Sequence, residues 1–240
     1  MIVIFSGLPG SGKSLKLADT VISILERNYK LYKRALKKFK KNGGVPPKSR
    51  LVYTNLKMSD AVEKHLKGGF KYWTDLRELT PLRDCDVIID EVATYFDARL
   101  WENLSLEMRR WLSQHRKFGV EIYGTTQDFA QVDKAFRRLT SDLVHLRKIF
   151  GSRDISATKE PPKLIYGLVL IQTLDPTVYD ELKSKFQAVG IFPKFMFITK
   201  SRVSVFDTRA EVMLSSALPK RHIEHVCELP NCPFHKVVHV

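Results

Sequence analysis

Ile2 to Ser6 form a short apolar, largely β-branched run that stops at Gly7, the pattern of a strand buried on both faces. From Lys13 to about Lys41 the period changes. Leu17, Val21, Ile24, Leu25, Tyr29, Tyr32, Leu36 and Phe39 recur at steps of three or four, which predicts an amphipathic helix longer than most globular ones. Asn42-Gly43-Gly44 and Pro46-Pro47 break that helix, and Leu51 to Asn55 predicts a second strand. A short helix is expected over 59–67, a strand over 70–73, and a buried strand over 87–90 with its polar residue, Asp90, at the carboxyl end. Ser105 is placed to cap a helix running to Arg116, Val120 to Thr126 reads as a strand ending in polar residues, and Asp128 to Leu139 as a further helix. Leu143 to Ile149 and Leu164 to Thr173 predict later strands, and Lys194 to Phe206 a hairpin turning at Lys200-Ser201.

Strands alternating with helices through the first 150 or so residues predict an α/β fold with a doubly wound, mostly parallel sheet, followed by a β-rich C-terminal extension. The expected divisions are a core over 1–158, a β-rich completion of the same domain over 159–218 beginning at Lys159-Glu160-Pro161-Pro162, and a Cys- and His-containing tail over 219–240. A chain of 240 residues is long enough for a substantial core. Three cysteines cannot build a disulfide framework and point to a reducing cytoplasm. No run approaches the roughly 18 apolar residues that span a bilayer, and the first residues show neither a basic flank nor a cleavage site, so neither a signal peptide nor a membrane anchor is expected.

Charge changes the picture more. Lys and Arg number 40 against 26 Asp and Glu, a net +14. Much of the excess is local, because Arg27, Lys30, Lys33, Arg34, Lys37, Lys38, Lys40, Lys41, Lys48 and Arg50 occur with no acid between them. Lys30, Lys33, Arg34, Lys37, Lys38 and Lys41 fall on one side of the long predicted helix, opposite its apolar stripe, so an anionic partner is expected there. Nucleic acid and an anionic membrane surface both satisfy that requirement, while a merely solvated face would ordinarily mix in acids.

The sharpest chemical signal is Gly7-Leu8-Pro9-Gly10-Ser11-Gly12-Lys13-Ser14, a complete G-x-x-x-x-G-K-[ST] motif set between a buried strand and a helix. Its glycines let backbone N–H groups wrap phosphates, and the helix that starts through Leu15 adds its positive end. Lys13 can reach the β/γ-phosphates, and Ser14 can ligate Mg²⁺. Asp90, at a strand's carboxyl end, supplies the second carboxylate on the metal side. Glu91 follows it, positioned to orient and deprotonate an attacking water, which hydrolysis needs and nucleotide storage does not. Gln127, after a strand ending Thr125-Thr126, is placed to sense the γ-phosphate if that strand neighbours the Asp90 strand. An arginine reaching a neighbouring subunit's nucleotide is sought among Arg109, Arg110, Arg116, Arg137 and Arg138, with Arg116 favoured. In the tail, Cys227, Cys232, His235 and His239 could close a tetrahedral Zn²⁺ site, structural rather than catalytic because four ligands leave no open position.

Taken together, the segment Ile2 to Ser14, Val52-Tyr53-Thr54-Asn55, Val87 to Glu91, the His115-Arg116 stretch leading to Thr125-Thr126-Gln127, and the late Val205-Phe206-Asp207-Thr208 resemble the zonular occludens toxin family, the assembly ATPases of filamentous phages related to their gene I product. The resemblance covers roughly 1–210 and extends to the RecA- and FtsK-HerA-like ring motors. It implies ATP and Mg²⁺ at Lys13, Ser14, Asp90, Glu91 and Gln127. It also implies a homo-oligomer arranged as a ring, and ATP-driven extrusion of phage particles with single-stranded DNA or phage nucleoprotein through the host inner membrane. Family members commonly carry a transmembrane helix after this domain, and Leu164 to Leu174 is too short to be one. Either a peripheral position at the cytoplasmic face, with the basic helix or a membrane-embedded assembly partner holding it there, or a longer natural chain that carries the anchor is therefore expected. Two other readings compete: a DNA-binding module in which nucleotide is only a switch, and a soluble kinase.

Overall fold

The computed structural model describes residues 1–58, 69–151, 165–176 and 194–199. Within them the chain builds one sheet of eight strands. These are β1 (Ile2–Ser6), β2 (Val52–Thr54), β3 (Phe70–Tyr72), β4 (Asp86–Ile89), β5 (Glu121–Thr126), β6 (Asp142–Gly151), β7 (Ile165–Leu174) and β8 (Lys194–Thr199). Their order across the sheet is β3-β2-β4-β5-β1-β6-β7-β8. The first six are parallel, and β7 and β8 add on antiparallel. The six parallel strands point their carboxyl ends to one edge, where ligands of open α/β sheets bind.

β1 lies in the middle, between β5 and β6, which explains its unbroken apolar run. Ile2 and Ile4 face one layer and Val3 and Phe5 the other, and all four are buried. On the Val3 side lies α1 (Lys13–Asn42), whose Leu17, Val21, Ile24 and Leu25 pack on Val52, Ile88, Tyr123 and Val144. The Ile2 side is covered by several short pieces: α2 (Ala93–Phe96), α3 (Leu106–Gln114), α4 (Lys134–Leu139) and 3₁₀ turns at Leu76–Leu79, Trp101–Asn103 and Phe129–Gln131. Large side chains fill this layer, with Phe96 stacked on Phe136 at 4.8 Å between ring centres and the Trp73 Nε1 donating to the Ile88 carbonyl at 3.0 Å. Full burial of such side chains contributes roughly 1.5–3 kcal/mol each.

Two predicted helices change form. The one expected over 128–139 divides, because the Asp128 and Asp133 carboxylates each accept the backbone N–H two residues on, at Ala130 (2.9 Å) and Ala135 (2.7 Å). Each aspartate thus starts its own turn, and Val132 between them is extended. The helix after Ser105, whose hydroxyl accepts from the Met108 N–H, ends at Gln114 rather than Arg116, with the chain turning through left-handed Gly119 into β5. The helix expected over 59–67, the second strand of the hairpin after Lys200 and the Cys227, Cys232, His235 and His239 cluster lie outside the described residues. Among the described residues, no helix is long and apolar enough to cross a membrane.

Candidate nucleotide site

The loop between β1 and α1 starts from a buried strand end. Gly7 is required by space: a Cβ there would run into the Leu146 carbonyl of β6 and come within 2.7 Å of the Ser11 Oγ. Gly12, left-handed at φ 91°, precedes α1 and offers it no side-chain cap, so the helix's first N–H groups face the loop without a capping oxygen. Lys13 is buried, and its Nζ folds back over the loop, donating to the carbonyls of Gly7 (2.8 Å) and Leu8 (3.1 Å). Burial lowers its amine below the usual range, and the facing Glu91 and Asp90 pull the other way. The Ser11 Oγ is buried with no hydrogen-bond partner. An uncapped helix start, an orphaned hydroxyl and a lysine folded over a glycine cradle fit a bound phosphate chain. Leu8, 77% exposed, and Pro9 form the outer rim. Leu15 turns its side chain into the core, leaving only its backbone on the phosphate side.

Across β5 from β1, the end of β4 presents the acids. Ser14 Oγ lies 3.4 Å from the Asp90 Oδ1, so the two residues expected on the metal converge, a hydroxyl and a carboxylate that suit Mg²⁺. Asp90 is held from three directions. Thr125 Oγ1 donates to its Oδ1 at 2.6 Å, its backbone N–H donates to the Asn55 Oδ1 at 2.6 Å, and its carbonyl accepts from the Asn55 Nδ2 at 3.1 Å. The same Thr125 hydroxyl accepts the Glu91 N–H at 2.8 Å. Glu91 itself is left-handed, φ 55°, a conformation that costs a non-glycine residue about 1–3 kcal/mol and persists only where neighbours impose it. That turn swings its carboxylate toward β5, where the Gln127 N–H donates to Oε1 at 3.4 Å. Burial pushes the Glu91 carboxyl above its usual range, against the opposing pull of Gln127 and of the Lys13 amine. The arrangement can hold a proton-accepting carboxylate beside a phosphate cradle and a metal position.

β5 pairs with both β4 and β1, so Gln127 follows a strand lying between the acids and the cradle. Behind the loop, His145 of β6 stands opposite Ser6 of β1, its Nδ1 3.2 Å from the Ser6 Oγ. Pattern reading assigns no role to Asn55, Thr125 or His145. The signal was available, since each is a polar side chain where a mostly apolar strand approaches the carboxyl edge. Arg116 is not brought to this site. Its Nη2 donates to the Ser141 Oγ at 3.2 Å, and Ser141 bonds to Ile2 at the amino ends of the strands, the opposite edge of the sheet. Lys30, Lys33, Arg34, Lys37, Lys38 and Lys41 are exposed on α1 beyond its buried stretch, also away from the cradle. A cavity lined by Thr80, Arg83, Trp111 and Phe118 shares no residue with the site.

Comparison with known proteins finds the model of the zonular occludens toxin (Zot) family matching residues 1–159. Among solved structures, the N-terminal domain of zonular occludens toxin from Neisseria meningitidis is similar at 20% identity, with 86% of this chain and 98% of that chain covered and a TM-score of 0.49. The genome packaging NTPase B204 from Sulfolobus turreted icosahedral virus 2, in complex with ATP-gammaS, matches at 13% identity over 81% of this chain and 95% of that one, TM-score 0.38. The flagellar accessory protein FlaH from Methanocaldococcus jannaschii matches at 12% identity over 82% and 88%, TM-score 0.39. No curated protein matches the chain. With a family model spanning well over half of its length and a phosphate cradle faced by paired acids, the chain belongs to the zonular occludens toxin family and is a P-loop ATPase.

Proposed function

We propose that the chain is the ATP-hydrolysing motor of filamentous phage assembly, working as a homo-oligomer at the cytoplasmic face of the host inner membrane, where turnover drives export of single-stranded DNA or phage nucleoprotein. The observation that carries the hydrolytic part is Glu91. Its carboxylate is aimed by an imposed left-handed turn, is half-buried beside Lys13 and Asp90, and burial raises its pKa above the usual carboxylate range, which strengthens it as a base. Lys13 would exchange its two loop carbonyls for phosphate oxygens, Ser11 and the α1 N-terminus would donate to them, and Gln127 would stand on the γ-phosphate side. A Mg²⁺ ion held by Ser14 and Asp90 would neutralise phosphate charge. Arg116, on the far edge, is out of reach of its own chain's nucleotide and would act only on that of a neighbouring copy.

The test is steady-state ATP turnover of the chain with and without single-stranded DNA, for wild type and Glu91→Gln. The expected outcome is measurable wild-type turnover, raised by DNA, and a loss on the order of 10²–10⁴-fold in the variant. Nucleotide binding with no turnover in either condition would instead favour the switch reading, in which ATP only toggles DNA affinity.

A further inference from the structure

α1 is longer than the sheet it covers. Its buried positions end at Asn28, and the stretch from Tyr29 to Asn42 runs on for roughly 21 Å at about 1.5 Å per residue. Where it leaves the sheet it is anchored: Asn28 Nδ2 donates to the buried Asp86 at 2.9 Å, and Arg27 lies 3.5 Å from Asp86 and 3.7 Å from Glu121. The overhang therefore continues in a fixed direction.

Its two sides differ. Leu36 and Phe39 continue, at helical spacing, the stripe that Leu17, Val21, Ile24, Leu25 and Asn28 lay against the sheet, and both are partly covered. Lys30, Lys33, Arg34, Lys37, Lys38 and Lys41 occupy the outward side, all exposed, spread over roughly 140° of the circumference at about 100° per residue. With no acid from Arg27 to Arg50, nothing on this stretch of chain neutralises them.

A flat anionic bilayer and a nucleic acid answer this shape differently. A bilayer would touch a convex basic ridge only along its outermost line, and the apolar positions that would insert, Leu36 and Phe39, lie on the opposite side of the helix from the basic ones. A nucleic-acid strand is flexible and can curve round a convex surface, so basic groups over a wide arc meet phosphates together. The geometry points to the phosphate backbone of nucleic acid as the occupant of this ridge, held by the six basic side chains without regard to sequence. Five of the six are lysines, flexible point charges suited to the phosphate contacts that position a backbone. This inference deepens the motor reading by naming where the polymer is gripped, and binding measured without nucleotide separates its failure from that of hydrolysis.

The experiment follows anisotropy of a labelled mixed-sequence single strand, and of the matching duplex, with the full chain across a salt series. The comparison is wild type against Lys33→Gln, Arg34→Gln, Lys37→Gln and Lys38→Gln combined. Glutamine keeps the helix propensity of these exposed positions, and coincident melting curves verify the fold. The expected result is a linear fall of log affinity with log salt for wild type, and for the variant a slope shallower by about 3 on the single strand, at about 0.7 for each phosphate no longer neutralised. In the unmodified protein, the oligonucleotide should also shield Lys37 and Lys41 from an amine-modifying reagent. Equal slopes, absent shielding, or capture by phosphatidylglycerol vesicles with no affinity for either oligonucleotide would overturn the inference.

Discussion

Glu91 occupies left-handed backbone in a half-buried place, and its ionised form is disfavoured there. Its folded pKa lies above its unfolded value, so the folded chain keeps the proton to higher pH than the unfolded chain does. Stability contributed by this group is present below the unfolded carboxyl value of about 4.3 and is lost as pH rises through the raised folded one. Glu91→Gln, which removes the charge and keeps the shape, should therefore melt at the same or higher temperature than wild type at pH 7 while being catalytically dead. The difference should shrink near pH 4, and calorimetry at both pH values checks it. Asn55 acts one step further out, clamping the backbone of Asp90 by two hydrogen bonds and thereby holding the turn that aims Glu91. Asn55→Ala should lower kcat by roughly 10- to 100-fold, the usual effect of removing a group that orients a ligand, with a much smaller change in nucleotide KM. It should also shift the acid limb of the pH–rate profile, which a loss confined to stability would leave in place. The sequence made the Lys13, Ser14, Asp90 and Glu91 set legible because phosphate and metal chemistry fixes residue type at fixed spacing. It did not disclose the Asn55 and Thr125 braces, since an amide or hydroxyl at a strand end has no unique partner until the strand order is known.

Among the elements, the junction of α1, β4 and β5 at the amino edge is tied by one buried acid. Asp86 is fully buried at the start of β4 and receives the Arg50 guanidinium at 2.9 Å and 3.0 Å. The same arginine donates to the carbonyls of Cys85 (2.8 Å) and Gly119 (3.0 Å). Removing one member of such a group leaves the other charge buried without its main partner. Arg50→Ala should thus cost about 3–5 kcal/mol, read by urea denaturation, whereas Lys48→Ala two residues away should change little. None of this was visible in composition, where Arg50 counts only as one more member of a basic run. The long helix and the central strands were readable because their apolar period persists over several turns or fills both faces. The short pieces over 93–103 and the divided segment over 129–139 were not, because there the aspartate side chains and tertiary packing decide the turns.

For the whole molecule, alternating strands and helices were enough to foresee a parallel doubly wound sheet, and the motif was enough to say which edge would bind. The order of strands was not foreseeable from periodicity, which does not say that β5 enters between β1 and β4 or that β7 and β8 join antiparallel. That inserted strand has a mechanical consequence. β1, which leads into the Lys13 loop, and β4, which leads into Asp90 and Glu91, stand two strand spacings apart, roughly 10 Å, and main-chain ladder bonds fix that spacing. The strands beneath the two jaws of the vice cannot approach by bending a surface turn. Gln127, which follows the middle strand and donates its N–H to the Glu91 carboxylate, is placed to feel both jaws at once.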